Sequence, residues 1–233
     1  IINVYFDPPL EAGSAATIEI HYEGMIEEAF CYPWHSEDIK EFSYNIGPVR
    51  IRRSQVIQKD DYLLLTPETH WYPVAGLNYY PSNPARISID FSNYSLKVSR
   101  ENGLRAVSQG SGSADNDYWY FTNETPLTGI SLAQGNYTSD TIRVDSIDFI
   151  AHYFEGHDYF RDELKELNDT LGNLISNIMT ELETNFSTDY PFRRLSLVEA
   201  PVYFHSIEKK NTQTRAEVQP SMIFLPEKMA TIG

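Results

Sequence analysis

Tyr190-Pro191-Phe192-Arg193-Arg194-Leu195-Ser196-Leu197-Val198-Glu199-Ala200-Pro201, continued by Glu217-Val218-Gln219-Pro220-Ser221-Met222-Ile223-Phe224-Leu225-Pro226-Glu227, is the stretch on which the fold turns. Pro191 stops the helix before it, because proline has no amide proton and biases its predecessor away from helix. Short apolar runs then read as strands at 195–198, 202–205 and 222–225, with a basic and polar loop at 206–214 between the last two. Helix, strand, polar loop and strand in that order mark the start of an α+β unit.

Working upstream, apolar residues fall at Phe160, Leu164, Leu167, Leu171, Leu174, Ile178 and Leu182, three and four apart. This spacing predicts one amphipathic helix over 158–186. Asp158 is placed to cap it, and Asp162 and Glu163 suit the positive end of its dipole. Gly172 costs about 1 kcal/mol relative to alanine, which the apolar face outweighs. Packing against a domain core is the expected use of that face, ahead of a coiled coil.

Before residue 154 the period changes to two. Residues 1–6 and 17–22 alternate, as do 86–91, 94–98, 117–121 and 142–149, and each reads as a strand. Turn chemistry at Asp7-Pro8-Pro9, at Glu101-Asn102-Gly103 and between Gly110 and Asp115 separates them. The expected fold is therefore mainly β: an antiparallel sandwich or saddle domain over 1–154, then a small α+β segment over 155–233 with one long amphipathic helix.

Composition bounds the function. The 233 residues are 41% hydrophobic and 13% aromatic, with 16 tyrosines, which suits β structure. The net charge is −15, so nucleic acid is excluded as a partner for want of a basic face. Cys31 is the single cysteine, so no intrachain disulfide forms. Composition accounts for the five glycosylation-type triplets at Asn93, Asn123, Asn136, Asn168 and Asn185. No apolar run approaches the ~20 residues that span a bilayer, so no direct membrane insertion is expected. The chain opens on Ile1 with a strand-like pattern and reads as a piece of a longer polypeptide.

No motif supplies a catalytic centre. A zinc hydrolase helix needs two histidines one turn apart with a glutamate beside the first, and none of the six histidines is followed by glutamate. His152 and His157 lie five apart on a strand and its exit turn, without a shared helical face. Cys31 and His35 lack further ligands at matching spacing. Acids alternate through 111–117 as in a calcium loop, but glycine precedes them and no bidentate glutamate follows, so a hairpin connection is expected. Trp71-Tyr72-Pro73 and Tyr79-Tyr80-Pro81 could stack on sugar rings if exposed; inward packing is the reading preferred here.

Several runs resemble the aminopeptidase-N-like gluzincin zinc metallopeptidases. Residues 10–24 look like the opening of that family's N-terminal β-domain, and 64–73 like the segment leading to its substrate-facing strands. Residues 153–160 look like the junction with the peptidase domain, and 190–227 like that domain's start. Similar runs occur in bacterial membrane proteins that fuse an ABC-transporter permease to an extracytoplasmic aminopeptidase-like region. In the family a Gly-Ala-Met-Glu-Asn loop binds the substrate's amino terminus. Its counterpart here is Ala216-Glu217-Val218-Gln219-Pro220, without the glycine and with the acid displaced by one residue.

The resemblance implies a non-catalytic extracytoplasmic fragment of an aminopeptidase-like protein. It would shape a peptide-binding cleft lined by Glu217 and Gln219, on the periplasmic side of a membrane-anchored, permease-linked parent. The rest of that parent is its expected partner, with a peptide as ligand. Zinc belongs to the parent, and no catalytic residue, metal ligand or cofactor is assigned to this chain. The bland alternative for Glu217 is a solvated loop acid. The competing function is a scaffold or ligand-binding β module, for peptide or glycan, with no peptidase activity in the parent.

Overall fold

A computed structural model describes residues 3–26, 43–46, 49–52, 56–74, 90–100, 103–157, 168–201 and 217–226. The described fold is mainly β with one α-helix, arranged largely as three stacked sheets.

The middle layer is a four-stranded antiparallel sheet in the order β3-β4-β9-β6, formed by Val56–Gln58, Leu63–Leu65, Leu132–Gly135 and Arg105–Ser108. Its side chains alternate between two cores, as the pleat requires. Leu64, Val107 and Ala133 enter one core, whereas Leu65, Ala106 and Leu132 enter the other. Such strands are apolar on both faces and carry no period-two signal. For this reason Leu63-Leu64-Leu65 is a strand that alternation does not reveal.

One outer layer is a three-stranded sheet, β5-β8-β7, of Ser95–Ser99, Tyr118–Thr122 and Ser111–Ala114. Its inner face brings Leu96, Val98, Trp119 and Phe121 to the second core. The β7–β8 connection is the expected hairpin. Asp115 Oδ1 accepts the amides of Asp117 at 2.9 Å and Tyr118 at 2.7 Å, so the acid closes the turn.

The other outer layer is a five-stranded mixed sheet, β10-β11-β12-β14-β13. Tyr137–Val144 (β10) and Ile147–Phe154 (β11) are antiparallel, with Val144 facing Ile147 across a two-residue turn. The single strand expected over 142–149 is thus two strands, because Asp145 turns back through a left-handed φ of 53°. β11 then pairs in parallel with Arg194–Ala200 (β12), which pairs in parallel with Met222–Pro226 (β14). Glu217–Gln219 (β13) forms the antiparallel edge. Strands on both sides of residue 154 therefore share one sheet. Tyr137, Val198, Met222 and Phe224 pack on the middle layer, and Val198 and Met222 are fully buried.

A parallel pair needs a crossover, and the chain supplies a helix, α1, Asn168–Phe186. The expected cap at Asp158 and first turns lie outside the described residues, as do the strands expected at 86–89 and 202–205. The helix sits beside β10, with Ser176 Oγ donating to Asp145 Oδ2 at 3.3 Å. Ile175 and Met179 are half-buried, whereas Leu174, Ile178, Leu182 and Phe186 are exposed. The face expected to pack on a core is thus outward over these turns. Short strand β1 (Ser43–Ile46) pairs with β2 (Val49–Arg52) as a separate hairpin.

The N-terminal run departs from expectation. Residues 3–26 contain no strand, and Ile18 and Ile20 remain exposed. Alternation marks a surface that fits a sheet, but a ladder partner must be present. Instead the run is tied by side chains, with the Tyr22 hydroxyl donating to the Trp71 carbonyl at 2.7 Å and Gln58 Nε2 to the Ile26 carbonyl at 2.9 Å.

Gly110 shows how closely β6 and β7 meet β8. Its φ is 79°, and a Cβ there would lie 2.2 Å from the Thr122 carbonyl oxygen. Gly110→Ala combines left-handed strain with a backbone clash, and we expect it to cost at least about 2 kcal/mol in urea unfolding. A loss below ~0.5 kcal/mol would show that the junction relaxes freely.

Candidate functional site

The expected site residues fall on the sheet edge. Gln219 ends β13 in register with Met222, and its side chain is buried. Val218 is 70% exposed, and the contrast follows the pleat. Glu217 is in register with Phe224; its side chain lies outside the described residues. Pro220 and Ser221 close the hairpin, with Ser221 at a φ of 57° and its carbonyl accepting the Ser196 amide at 3.0 Å. The sheet order leaves β13 hydrogen-bonded on one side only among the described residues.

Sequence reasoning missed a polar cluster at the other end of β12. The Glu199 side chain is 4% exposed, and its Oε2 accepts the Phe154 amide at 2.7 Å. Its Oε1 meets His157 Nδ1 at 2.9 Å. The Tyr137 hydroxyl donates to the Glu199 carbonyl at 2.8 Å and lies 3.1 Å from the Tyr62 hydroxyl. Burial, then the neighbouring Tyr62, holds the Tyr137 hydroxyl well above its ordinary pKa, so it remains a donor. A buried carboxyl group must find hydrogen-bond partners, and Glu199 has them. The signal in the sequence was an acid inside the apolar run of 195–200. We expect Glu199→Ala to cost about 3 kcal/mol, because it removes the acceptor of the Phe154 amide and the contact with His157. Glu199→Gln keeps an acceptor for that amide and should cost visibly less; equal losses in denaturant titrations would contradict this account.

His152 lies elsewhere. The Ser139 hydroxyl contacts its Nδ1 at 2.8 Å, and Arg105 Nη1 donates to the same hydroxyl at 2.8 Å. Burial, then Arg105 and Arg194, pushes the ring's pKa down to about 3. Ser139 and His152 have the spacing of a nucleophile and a base, but so weak a base does not activate a hydroxyl near neutrality. Ser139 and His152 face each other across the β10–β11 ladder. The folded pKa lies below the ordinary value of 6.5, so the unfolded chain binds the extra proton. Stability should be fully retained above about pH 6.5 and fall as pH drops toward 3. His152→Gln should flatten that limb of a stability–pH curve, and an unchanged slope would rule His152 out.

His152 and His157 thus have different partners, and among the described residues no three His, Cys, Asp or Glu side chains come together to hold a metal. Cys31, His35, Tyr79 and Tyr80 lie outside the described residues. Trp71 and Tyr72 are built into the fold: Trp71 Nε1 donates to the Ile130 carbonyl at 3.2 Å, and the Tyr72 hydroxyl accepts the Ile130 amide at 3.1 Å. A groove of about 90 Å³ is lined by Ser111, Thr125, Phe192, Arg193, Arg194 and Ser221, where β12 meets the β7–β8 sheet. Thr125 Oγ1 is bonded to the Pro191 carbonyl and Arg194 Nη1 to the Gly110 carbonyl. The groove is small against the ~300 Å³ at which ligand sites begin.

No family model and no curated protein matches the chain. Solved structures similar to it include an aminopeptidase A from Legionella pneumophila in complex with aspartic acid, with 10% identity and a TM-score of 0.46 over 72% of this chain. An M1 zinc metallopeptidase from Deinococcus radiodurans is similar over 79% of the chain, with 13% identity and a TM-score of 0.45. The chain spans 19% of the first structure and 40% of the second.

Proposed function

We propose that this chain is a non-catalytic part of an aminopeptidase-like protein and that β13 forms one wall of a peptide-binding cleft. The observation that carries the reading is the edge position of β13. An edge strand offers a row of backbone donors and acceptors to an extended peptide. The buried Gln219 side chain supports a role in fixing the edge, with contact to the peptide made by the backbone and by Glu217. In this proposal the parent is extracytoplasmic, membrane-anchored and linked to an ABC-transporter permease. Any zinc chemistry resides in a segment other than this one. The outward stripe of Leu174, Ile178, Leu182 and Phe186 supports a further polypeptide surface packing on α1.

One observation favours the scaffold alternative. Ala216-Glu217-Val218-Gln219-Pro220 departs from the Gly-Ala-Met-Glu-Asn pattern, with no glycine and with the acid displaced. Calorimetric titration of the full-length parent with short peptides separates the readings. Glu217→Ala should weaken binding about tenfold, the loss of one charge-assisted contact. Unchanged affinity would leave β13 a scaffold edge.

A further inference from the structure

Between the middle and three-stranded layers lies a cavity of about 10 Å³, lined by Tyr94, Ser108, Gln109, Phe121, Asn123 and Ile130 among others. Gln109 is 4% exposed, and its Oε1 accepts the Ser131 amide at 2.8 Å. That contact fixes the orientation of the carboxamide, because a backbone N–H cannot face the Nε2 donor. Nε2 is therefore turned away from Ser131 and has no hydrogen-bond partner. Leaving such a donor unsatisfied costs about 1–3 kcal/mol.

We propose that one water molecule is bound here as an integral part of the fold. It accepts from Gln109 Nε2 and donates to Ser108 Oγ and Asn123 Oδ1, the side-chain oxygens of two residues that line the cavity. Ser108 Oγ gives its own proton to the Ser131 carbonyl at 2.7 Å, so its lone pairs face outward from that bond. Asn123 Oδ1 accepts the Tyr94 amide at 2.5 Å and keeps a second lone pair. The volume matches the ~10–15 Å³ that one water needs, and three partners match the usual number.

The site has a structural consequence. Asn123 Nδ2 donates to the Thr125 carbonyl at 2.7 Å, and Thr125 Oγ1 to the Pro191 carbonyl at 3.1 Å. The water thus joins the end of β6 to the loop that meets the entry to β12.

The test is water-selective NOE and ROE spectroscopy on the isotope-labelled chain. Gln109 side-chain amide protons should show water cross-peaks of opposite sign in the two experiments, which marks a bound water and excludes simple proton exchange. Assigned Gln109 amide protons with no cross-peak, or with peaks of one sign, would overturn the proposal. Gln109→Met removes the donor, and the water cross-peaks at neighbouring Asn123 should then disappear. Their persistence in a folded variant would also count against the site as described.

Discussion

The double burial of the four-stranded middle sheet is the constraint on which the other layers depend. Leu64 and Leu65, Ala106 and Val107, and Leu132 and Ala133 are neighbours that enter opposite cores. A sheet that is apolar on both faces must be covered on both. The three-stranded layer covers one side with Val98, Trp119 and Phe121, and the five-stranded layer covers the other with Val198, Met222 and Phe224.

The five-stranded layer carries the second consequence. Its β11–β12 pairing is parallel, so the chain must leave the sheet and return. α1 lies in that excursion and ends at Phe186, where Ser187 takes a left-handed φ of 53°, before the β12 ladder begins at Arg194. The same return aligns Glu199 with the β11 exit, where the Phe154 amide and His157 meet its carboxylate. Among the described residues β13 is left at the margin. The proposed peptide wall is therefore a by-product of strand order, and its chemistry rests on backbone exposure more than on side chains.

Local sequence logic worked where one face of an element met water. Residues 95–99 and 118–122 alternate and form strands. It failed at Leu63–Leu65, which is buried on both faces, and at 17–22, where a strand pattern has no ladder. The 142–149 run failed for a different reason: its alternation slips by one residue across Asp145-Ser146, from Ile142 and Val144 to Ile147 and Phe149, and that slip marks the turn. Of the candidate site, β14 was legible from its apolar run, whereas β13 was not, because Glu217-Val218-Gln219 is too short to show a period and read as loop. The Glu199 cluster was not, because its partners are 42 and 45 residues away.

By itself the sequence determined the β-rich class, the change from period two to helical spacing after residue 154, and the helix end at Phe186. These follow from single-residue backbone constraints and from one-sided burial, which leave a local trace. Only the tertiary structure decided that strands from both sides of residue 154 share one sheet, that the Leu174–Ile178–Leu182 stripe faces outward, and that Gln109 is enclosed between layers. Each of those depends on which surfaces meet, and contact between distant segments leaves no periodicity for the chain to display.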